Sequence, residues 1–150
     1  MKSWMSSDEI LDFAIGEEEA AVKFYTGMAE KAEHSAMKRD FLLFANEERG
    51  HKAKLIAVKE GKKFKPSNEK VLDLKIADYT VDVDIDQVES YEDALVVAMK
   101  KEKAAYKLYT KLSEMVETED AKNLFNSLAQ EEAKHKLRFE IAYDDMLKEN

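Results

Sequence analysis

The sequence contains no cysteine among its 150 residues, and this absence removes whole classes of site. Disulfide bonds, cysteine-ligated zinc and iron–sulfur centres all need thiol ligands, so none of them can be built from these residues. Proline occurs once and glycine four times. Residues that interrupt helices are therefore scarce, whereas alanine, glutamate, lysine and leucine are abundant. This composition predicts an all-α protein.

Acidic residues outnumber basic residues, and long apolar runs are lacking. The chain has 24 lysine and arginine residues against 32 aspartate and glutamate residues, a formal net charge of −8. Because phosphate backbones are bound by clustered positive charge, we expect no nucleic-acid partner. No segment approaches the roughly 18 apolar residues of a membrane span, and residues 1–8 lack the apolar stretch of a signal peptide. We expect one soluble, cytoplasmic domain covering residues 1–150.

Apolar residues recur at alternating steps of three and four in four segments, which is typical of amphipathic helices. The predicted helices cover about 7–32, 36–60, 90–116 and 119–147, and residues 62–88 form a long crossover. Within the crossover, residues 68–74 could make a short turn of helix. The period-two alternation from Val81 to Asp86 is typical of an extended strand. That strand either lies along a groove of the bundle or offers an edge to a second subunit.

The second half of the chain repeats the first half at an offset of 84 residues. When 14–60 is aligned with 98–144 without a gap, 16 of 47 positions are identical. The offset pairs Glu18 with Glu102, Tyr25 with Tyr109, Glu48 with Glu132 and His51 with His135. The chain is therefore predicted to be two copies of one helical hairpin.

Each predicted hairpin has ionisable residues at positions where its helices should face the core. Such residues are costly there unless they are paired or bind an ion. In helices 2 and 4 a glutamate and a histidine three residues apart project from one face, and the glutamate of the preceding helix is equally far from the turn. The resulting layer of four carboxylates and two imidazoles consists of Glu18, Glu48, His51, Glu102, Glu132 and His135. This layer predicts a site for two divalent ions, and the alternative is a polar core layer without metal.

The ligand types narrow the choice of metal. Imidazole and carboxylate ligands without thiolate favour iron or manganese, and zinc remains possible. Tyr25 and Tyr109 lie seven residues, about 10.5 Å, beyond the glutamate of their own helix, so each can reach only a ligand on a neighbouring helix. Support of such a ligand and plain core packing both fit the pattern. We take these tyrosines, with Glu48 and Glu132, as candidate catalytic residues.

Four segments resemble the helix motifs of rubrerythrin-like proteins in the ferritin-like superfamily. They are residues 16–25, 44–51, 102–109 and 128–135. The resemblance covers about 7–60 and 90–148, which is nearly everything outside the crossover. It implies a ferritin-like four-helix bundle with one long crossover. It also implies a di-iron centre in which Glu48 and Glu132 bridge two iron ions and the other four ligand candidates are terminal ligands.

Two features depart from the family pattern. Full-length rubrerythrins carry a cysteine-ligated rubredoxin centre that supplies electrons, and these cysteine-free residues cannot form one. The family also places an additional glutamate one turn after the ligand of helix 3, where this chain has Ala105. The remaining six-ligand site is closer to the ferroxidase centres of the superfamily.

The resemblance implies a non-haem di-iron oxidoreductase that reacts with hydrogen peroxide or oxygen and uses an external electron donor. Peroxide detoxification under oxidative stress is the corresponding role. The alternative is an iron-binding or ferroxidase protein that oxidises iron and hands it on without catalytic peroxide turnover. A structural bundle with a vestigial polar layer is the third hypothesis. The family tendency and the segment from Val81 to Asp86 also predict a homodimer.

Overall fold

The computed structural model of the chain describes residues 4–5, 7–61, 72–73, 81, 85–116 and 118–149. Four long helices make up most of these residues. They are α1 (Ser7–Lys31), α2 (Ser35–Glu60), α3 (Tyr91–Met115) and α4 (Glu119–Glu149). Two short strands, β1 (Trp4–Met5) and β2 (Leu72–Asp73), pair antiparallel, and Ile85–Gln87 form a 3₁₀ turn. The predicted all-α four-helix bundle is confirmed.

Local chemistry explains where α3 and α4 begin. The Ser90 side chain accepts a hydrogen bond from the backbone N–H of Asp93, and Thr118 accepts one from Ala121 in the same way. These hydroxyls satisfy backbone N–H groups that have no partner inside the first turn. Acidic residues in both first turns also interact favourably with the positive end of the helix dipole.

Pairs of contacting residues give the directions of the helices. Tyr25 of α1 contacts Glu102 of α3, and Glu18 contacts Tyr109, so a lower number on α1 goes with a higher number on α3. These two helices are therefore antiparallel. The contacts from Asp12 to Lys59 and from Tyr25 to Phe44 show the same relation between α1 and α2. Because α2 and α3 both oppose α1, they run parallel to each other.

The core consists of two apolar clusters with a polar layer between them. One cluster contains Leu11, Ala14, Leu55, Leu108, Leu112, Phe125 and Leu128, and the other contains Phe24, Met28, Phe41, Phe44, Leu95, Ala98 and Phe139. Each of the four helices contributes residues to both clusters. The segment that each helix places between its two contributions contains the predicted ligand residues.

Two predictions about the crossover are wrong where the structure describes it. Residues 85–87 are a 3₁₀ turn, not the end of a strand, and residues 72–73 are a strand, not part of a helical turn. The 3₁₀ turn leads to Val88, which is buried against the apolar cluster of Phe24 and Phe41, just before Ser90 caps α3. Residues 82–84 lie outside the described residues. No helix in the described ranges is long and apolar enough to cross a membrane.

The bundle predicts a large difference between two leucines of α4. Leu128→Ala removes a side chain that is 0% exposed and should lower the free energy of unfolding by about 2–5 kcal/mol, because it loses apolar burial and leaves a cavity. Leu137→Ala removes a side chain that is 57% exposed and should change it by less than about 0.5 kcal/mol. Urea denaturation of the metal-free protein measures both. Equal losses would contradict this assignment of the core.

Candidate metal centre

The polar layer at the middle of the bundle contains all six predicted ligand residues. They are Glu18, Glu48, His51, Glu102, Glu132 and His135, and each is at most 4% exposed. Glutamate and histidine are rarely buried to this extent unless a partner compensates them. These residues lie at the same level along the bundle axis, because in each hairpin the ionisable residues of both helices are about equally far from the turn that joins them.

The six residues form two overlapping groups of potential ligands. In each group, one atom from each of four residues lies within 4.8 Å of the others. The group of Glu18, Glu48, His51 and Glu132 is called the His51 position below, and the group of Glu48, Glu102, Glu132 and His135 is called the His135 position. Glu48 and Glu132 belong to both groups. Two adjacent ions could therefore share these two carboxylates.

The distances show how Glu48 and Glu132 face both histidines. Glu48 Oε1 lies 3.1 Å from Nδ1 of His135, and its Oε2 lies 3.7 Å from Nδ1 of His51. Glu132 Oε1 lies 2.9 Å from Nδ1 of His51 and 3.9 Å from Nδ1 of His135. The imidazole rings are nearly parallel, with centroids 6.1 Å apart. Each carboxylate thus lies between the two halves of the layer.

The two buried tyrosines each hydrogen-bond a glutamate of the layer. The Tyr25 hydroxyl donates to Oε1 of Glu102, and the Tyr109 hydroxyl donates to Oε1 of Glu18. The other oxygen of each glutamate faces a histidine. Oε2 of Glu18 is 3.7 Å from Nδ1 of His51, and Oε2 of Glu102 is 3.5 Å from Nδ1 of His135. The hydrogen bond therefore leaves one oxygen of each glutamate directed into the layer.

The tyrosines also pack in the core, so both sequence interpretations describe part of their role. Tyr25 stacks on Phe41 and Phe139, and Tyr109 stacks on Phe125. Burial raises the pKa of both phenols well above the usual range, and the nearby carboxylates raise it further. The hydroxyls consequently remain protonated donors.

The carboxyl groups of the layer differ in the direction of their pKa shifts, which is upward for three of them and downward for Glu48. Burial raises the pKa of Glu132 well above its usual range, and the charges of Glu102 and Glu48 raise it further. Burial also raises the pKa values of Glu18 and Glu102. Burial opposes ionisation of Glu48 too, but its interactions with Glu18 and with both histidines outweigh that effect and lower its pKa.

The histidines respond to the same carboxylates. Burial alone would lower their pKa values, but Glu18 and Glu48 raise the pKa of His51 to about 9. Glu102 and Glu48 likewise raise the pKa of His135 to about 10. At neutral pH the imidazoles would therefore hold protons in place of a metal ion. A divalent ion that binds here has to displace protons, which makes its affinity lower in acid.

The layer has a shortage of hydrogen bonds that divalent ions would remedy. Ten buried side-chain atoms among the described residues have no hydrogen-bond partner, and eight of the ten belong to the six ligand candidates. These eight include both oxygens of Glu48 and Nδ1 of both histidines. Buried polar atoms without partners cost about 1–3 kcal/mol each, and more when charged. Carboxylate and imidazole donors that converge in this way fit two divalent ions.

One contact in the layer was not predicted from the sequence. A carboxylate oxygen of Glu47, which is not one of the six ligand candidates, lies against Nε2 of His135. The signal that could have revealed it is the position of Glu47 on α2, on the side that faces α4. Its repeat equivalent, Glu131, instead lies near Lys134 on the surface.

A small cavity of about 30 Å³ adjoins the layer between α1 and α3. Its lining includes Glu18, Glu102 and Tyr109, together with Ala21 and Ala105. The two alanines leave the space that larger side chains would fill. A molecule of two heavy atoms could approach the carboxylates from this side.

Comparisons with known proteins agree with this architecture. The Rubrerythrin family model matches residues 9–146. A hypothetical protein from Pyrococcus furiosus is 29% identical, with 96% of this chain and 92% of that chain covered and a TM-score of 0.75. A Thermotoga maritima protein described as a ferritin-like diiron-carboxylate protein is 22% identical, with 97% and 99% covered and a TM-score of 0.82. None of the curated proteins matches the sequence.

The family match and the structure support the same conclusion. The match spans nearly the whole chain, and the likeness to the Thermotoga maritima structure shows the ferritin-like fold. The family and the buried cluster of glutamates and histidines together suggest iron binding. The chain belongs to the rubrerythrin family.

Proposed function

We propose that this protein is a non-haem di-iron oxidoreductase that reduces hydrogen peroxide, or oxygen, with electrons from an external donor. The observation that carries the proposal is the pair of overlapping ligand groups that share Glu48 and Glu132. A structural bundle would have no need to bury four carboxylates and two imidazoles with eight unsatisfied atoms at its centre. Membership in the rubrerythrin family supports the same function.

Six residues of the chain would hold two iron ions, and these residues would have two different roles. Glu48 and Glu132 would bridge them, because each faces both histidines. Glu18 with His51, and Glu102 with His135, would each complete one position. Manganese or zinc would suit the same oxygen and nitrogen donors.

Bound ferrous ions would supply the two electrons that, with two protons, convert one hydrogen peroxide molecule to two water molecules. The protein's contribution is to position the ligands and to control water and protons. Tyr25 and Tyr109 each hold a proton at Oη and orient a terminal glutamate through it. The apolar clusters on both sides of the layer would limit water, and the cavity of about 30 Å³ beside Ala105 offers space for a small oxidant.

The second candidate is an iron-binding or ferroxidase protein in which ferrous ions are the substrate. Ala105 favours this alternative, because the site then has six ligand residues and no additional glutamate on α3. Glu17 also lines the cavity beside the layer and adds a carboxylate on the approach side. In this case iron would be oxidised once and then handed on, without catalytic turnover of peroxide.

The ligand assignment predicts the metal content of single variants. The wild-type protein should bind two ferrous ions per chain under anaerobic conditions, and Glu48→Ala or Glu132→Ala should abolish two-ion binding because each removes a shared ligand. Glu19→Ala, one residue from Glu18 but half exposed, is the matched control and should still bind two ions. Metal analysis after desalting measures the stoichiometry. Two ions retained in both bridging variants would refute the ligand assignment.

Metal should also stabilise the fold, because only the folded chain assembles the six ligands. At a free ion concentration 100 times Kd, binding contributes about 2.7 kcal/mol, which corresponds to a rise in melting temperature of roughly 5–10 °C. Calorimetry with and without ferrous iron measures the rise, and Glu48→Ala should lose most of it. A wild-type protein with no bound metal and no rise would support the vestigial structural bundle instead.

Peroxide assays separate the two candidate functions. After anaerobic loading with ferrous iron, hydrogen peroxide and a chemical reductant should give continued peroxide loss over many turnovers if the protein is an oxidoreductase. A single stoichiometric oxidation followed by iron release would favour the ferroxidase alternative. Oxygen added in place of peroxide, in a parallel experiment, identifies the preferred oxidant.

The tyrosine hydrogen bonds predict a further effect on the same assay. Tyr25→Phe and Tyr109→Phe keep the ring packing but remove the donor to the terminal glutamate, so iron affinity or turnover should fall by about 10- to 100-fold. Tyr106→Phe, on the exposed side of α3, should have no effect. Unchanged iron affinity and turnover in both buried variants would show that the tyrosines serve only as packing residues.

A further inference from the structure

The repeat gives the two ion positions the same ligand types, but the structure treats their histidines differently. Glu47 and Glu131 are equivalent at the 84-residue offset, and each precedes a shared glutamate. One carboxylate oxygen of Glu47 is buried against Nε2 of His135. Glu131 is directed to the surface, where its carboxylate lies 3.9 Å from the Lys134 ammonium. Identical residues at equivalent positions therefore have different partners.

The residues three positions further along explain the difference. Lys134 follows Glu131 by three residues, which places a cation beside it on the exposed side of α4. The equivalent residue on α2 is Gly50, which has no side chain. An exposed pair of this kind is weak, but its absence on α2 removes an attraction that would draw Glu47 outwards. Glu47 is thus left to approach the histidine of the facing helix.

Aromatic packing adds to this asymmetry. The ring of Phe44 meets the His135 ring edge-on, with centroids 5.0 Å apart, and the Arg138 guanidinium lies 4.7 Å above Phe44. The repeat places Leu128 at the position equivalent to Phe44. The His135 ring therefore contacts Glu47 at Nε2 and the Phe44 ring at its side.

We propose that Glu47 is a positioning residue for His135, and that the His135 position holds its ion more tightly than the His51 position. A carboxylate in contact with Nε2 of an imidazole favours a proton on that nitrogen, which leaves Nδ1 for the metal ion and strengthens its basicity. Nδ1 of His135 is the nitrogen that faces Glu48 and Glu102. The inference rests on the proposed di-iron function.

The test is an anaerobic calorimetric titration of the full chain with ferrous ions alone. The wild-type protein should show two resolved binding steps. Glu47→Ala should weaken the tighter step by about 10- to 100-fold, whereas the matched variant Glu131→Ala should leave both steps unchanged. Glu47→Gln should recover part of the loss, because its amide oxygen still accepts a hydrogen bond but carries no charge.

Two histidine variants assign the steps. His135→Ala should remove the tighter step, and His51→Ala should remove the weaker step. Circular dichroism of every metal-free variant checks that the fold is retained. Equal affinities in the wild-type protein, equal losses in Glu47→Ala and Glu131→Ala, or a loss of the weaker step in Glu47→Ala would each overturn the inference. A wild-type protein that binds no iron would instead refute the di-iron proposal.

A substitution on α2 tests the cause of the asymmetry. Gly50 is exposed, and a Cβ added there would meet no atom within 4 Å, so Gly50→Lys is a suitable substitution. It gives Glu47 the neighbouring cation that Glu131 has. The tighter step should then weaken in the same direction as in Glu47→Ala, by a smaller factor. An unchanged tighter step would contradict the role assigned to the glycine.

Discussion

The burial of four carboxylates at the centre of one bundle is the constraint on which the rest of the structure depends. Carboxylates repel one another and lose their hydration in such a place, so a fold that encloses them needs compensating groups. Two histidines supply part of the compensation, and both have raised pKa values because of it. Two divalent ions would supply the remainder. The free energy that this layer costs the metal-free chain is the physical argument for a metal centre.

The same layer couples the two halves of the chain. Each hairpin contributes a tyrosine that donates to a glutamate of the other hairpin: Tyr25 to Glu102, and Tyr109 to Glu18. Glu48 and Glu132 likewise each face His51 of one hairpin and His135 of the other. Neither hairpin can complete an ion position with its own residues, because each position combines ligands from both halves of the chain. The repeat unit is consequently half of a site, and function requires the two units together.

The sequence predicted those parts of the protein that depend on periodicity. The spacing of apolar residues located the helices, and the ionisable residues on the same stripes located the six members of the polar layer. The partners of the tyrosine hydrogen bonds could not be predicted, because Tyr25 reaches Glu102 only when α1 and α3 are antiparallel neighbours. The pairing of residues 72–73 with residues 4–5 was missed for a related reason: the partner lies far away in the sequence.

Glu47 shows a different limit of sequence analysis. Its repeat equivalent is also a glutamate, so the alignment of the two halves does not distinguish the two residues. We attribute the difference to Gly50 and Lys134, which are surface positions outside the ligand set. A duplicated chain can thus keep both copies of its ligands while neighbouring residues diverge.

If the two ion positions differ in affinity, one ion could remain bound while the other exchanges. That property would suit iron transfer through the His51 position, whereas catalytic peroxide reduction requires both ions to remain bound through the cycle. Thus the relative affinity of the two positions bears directly on which of the two proposed functions this chain performs.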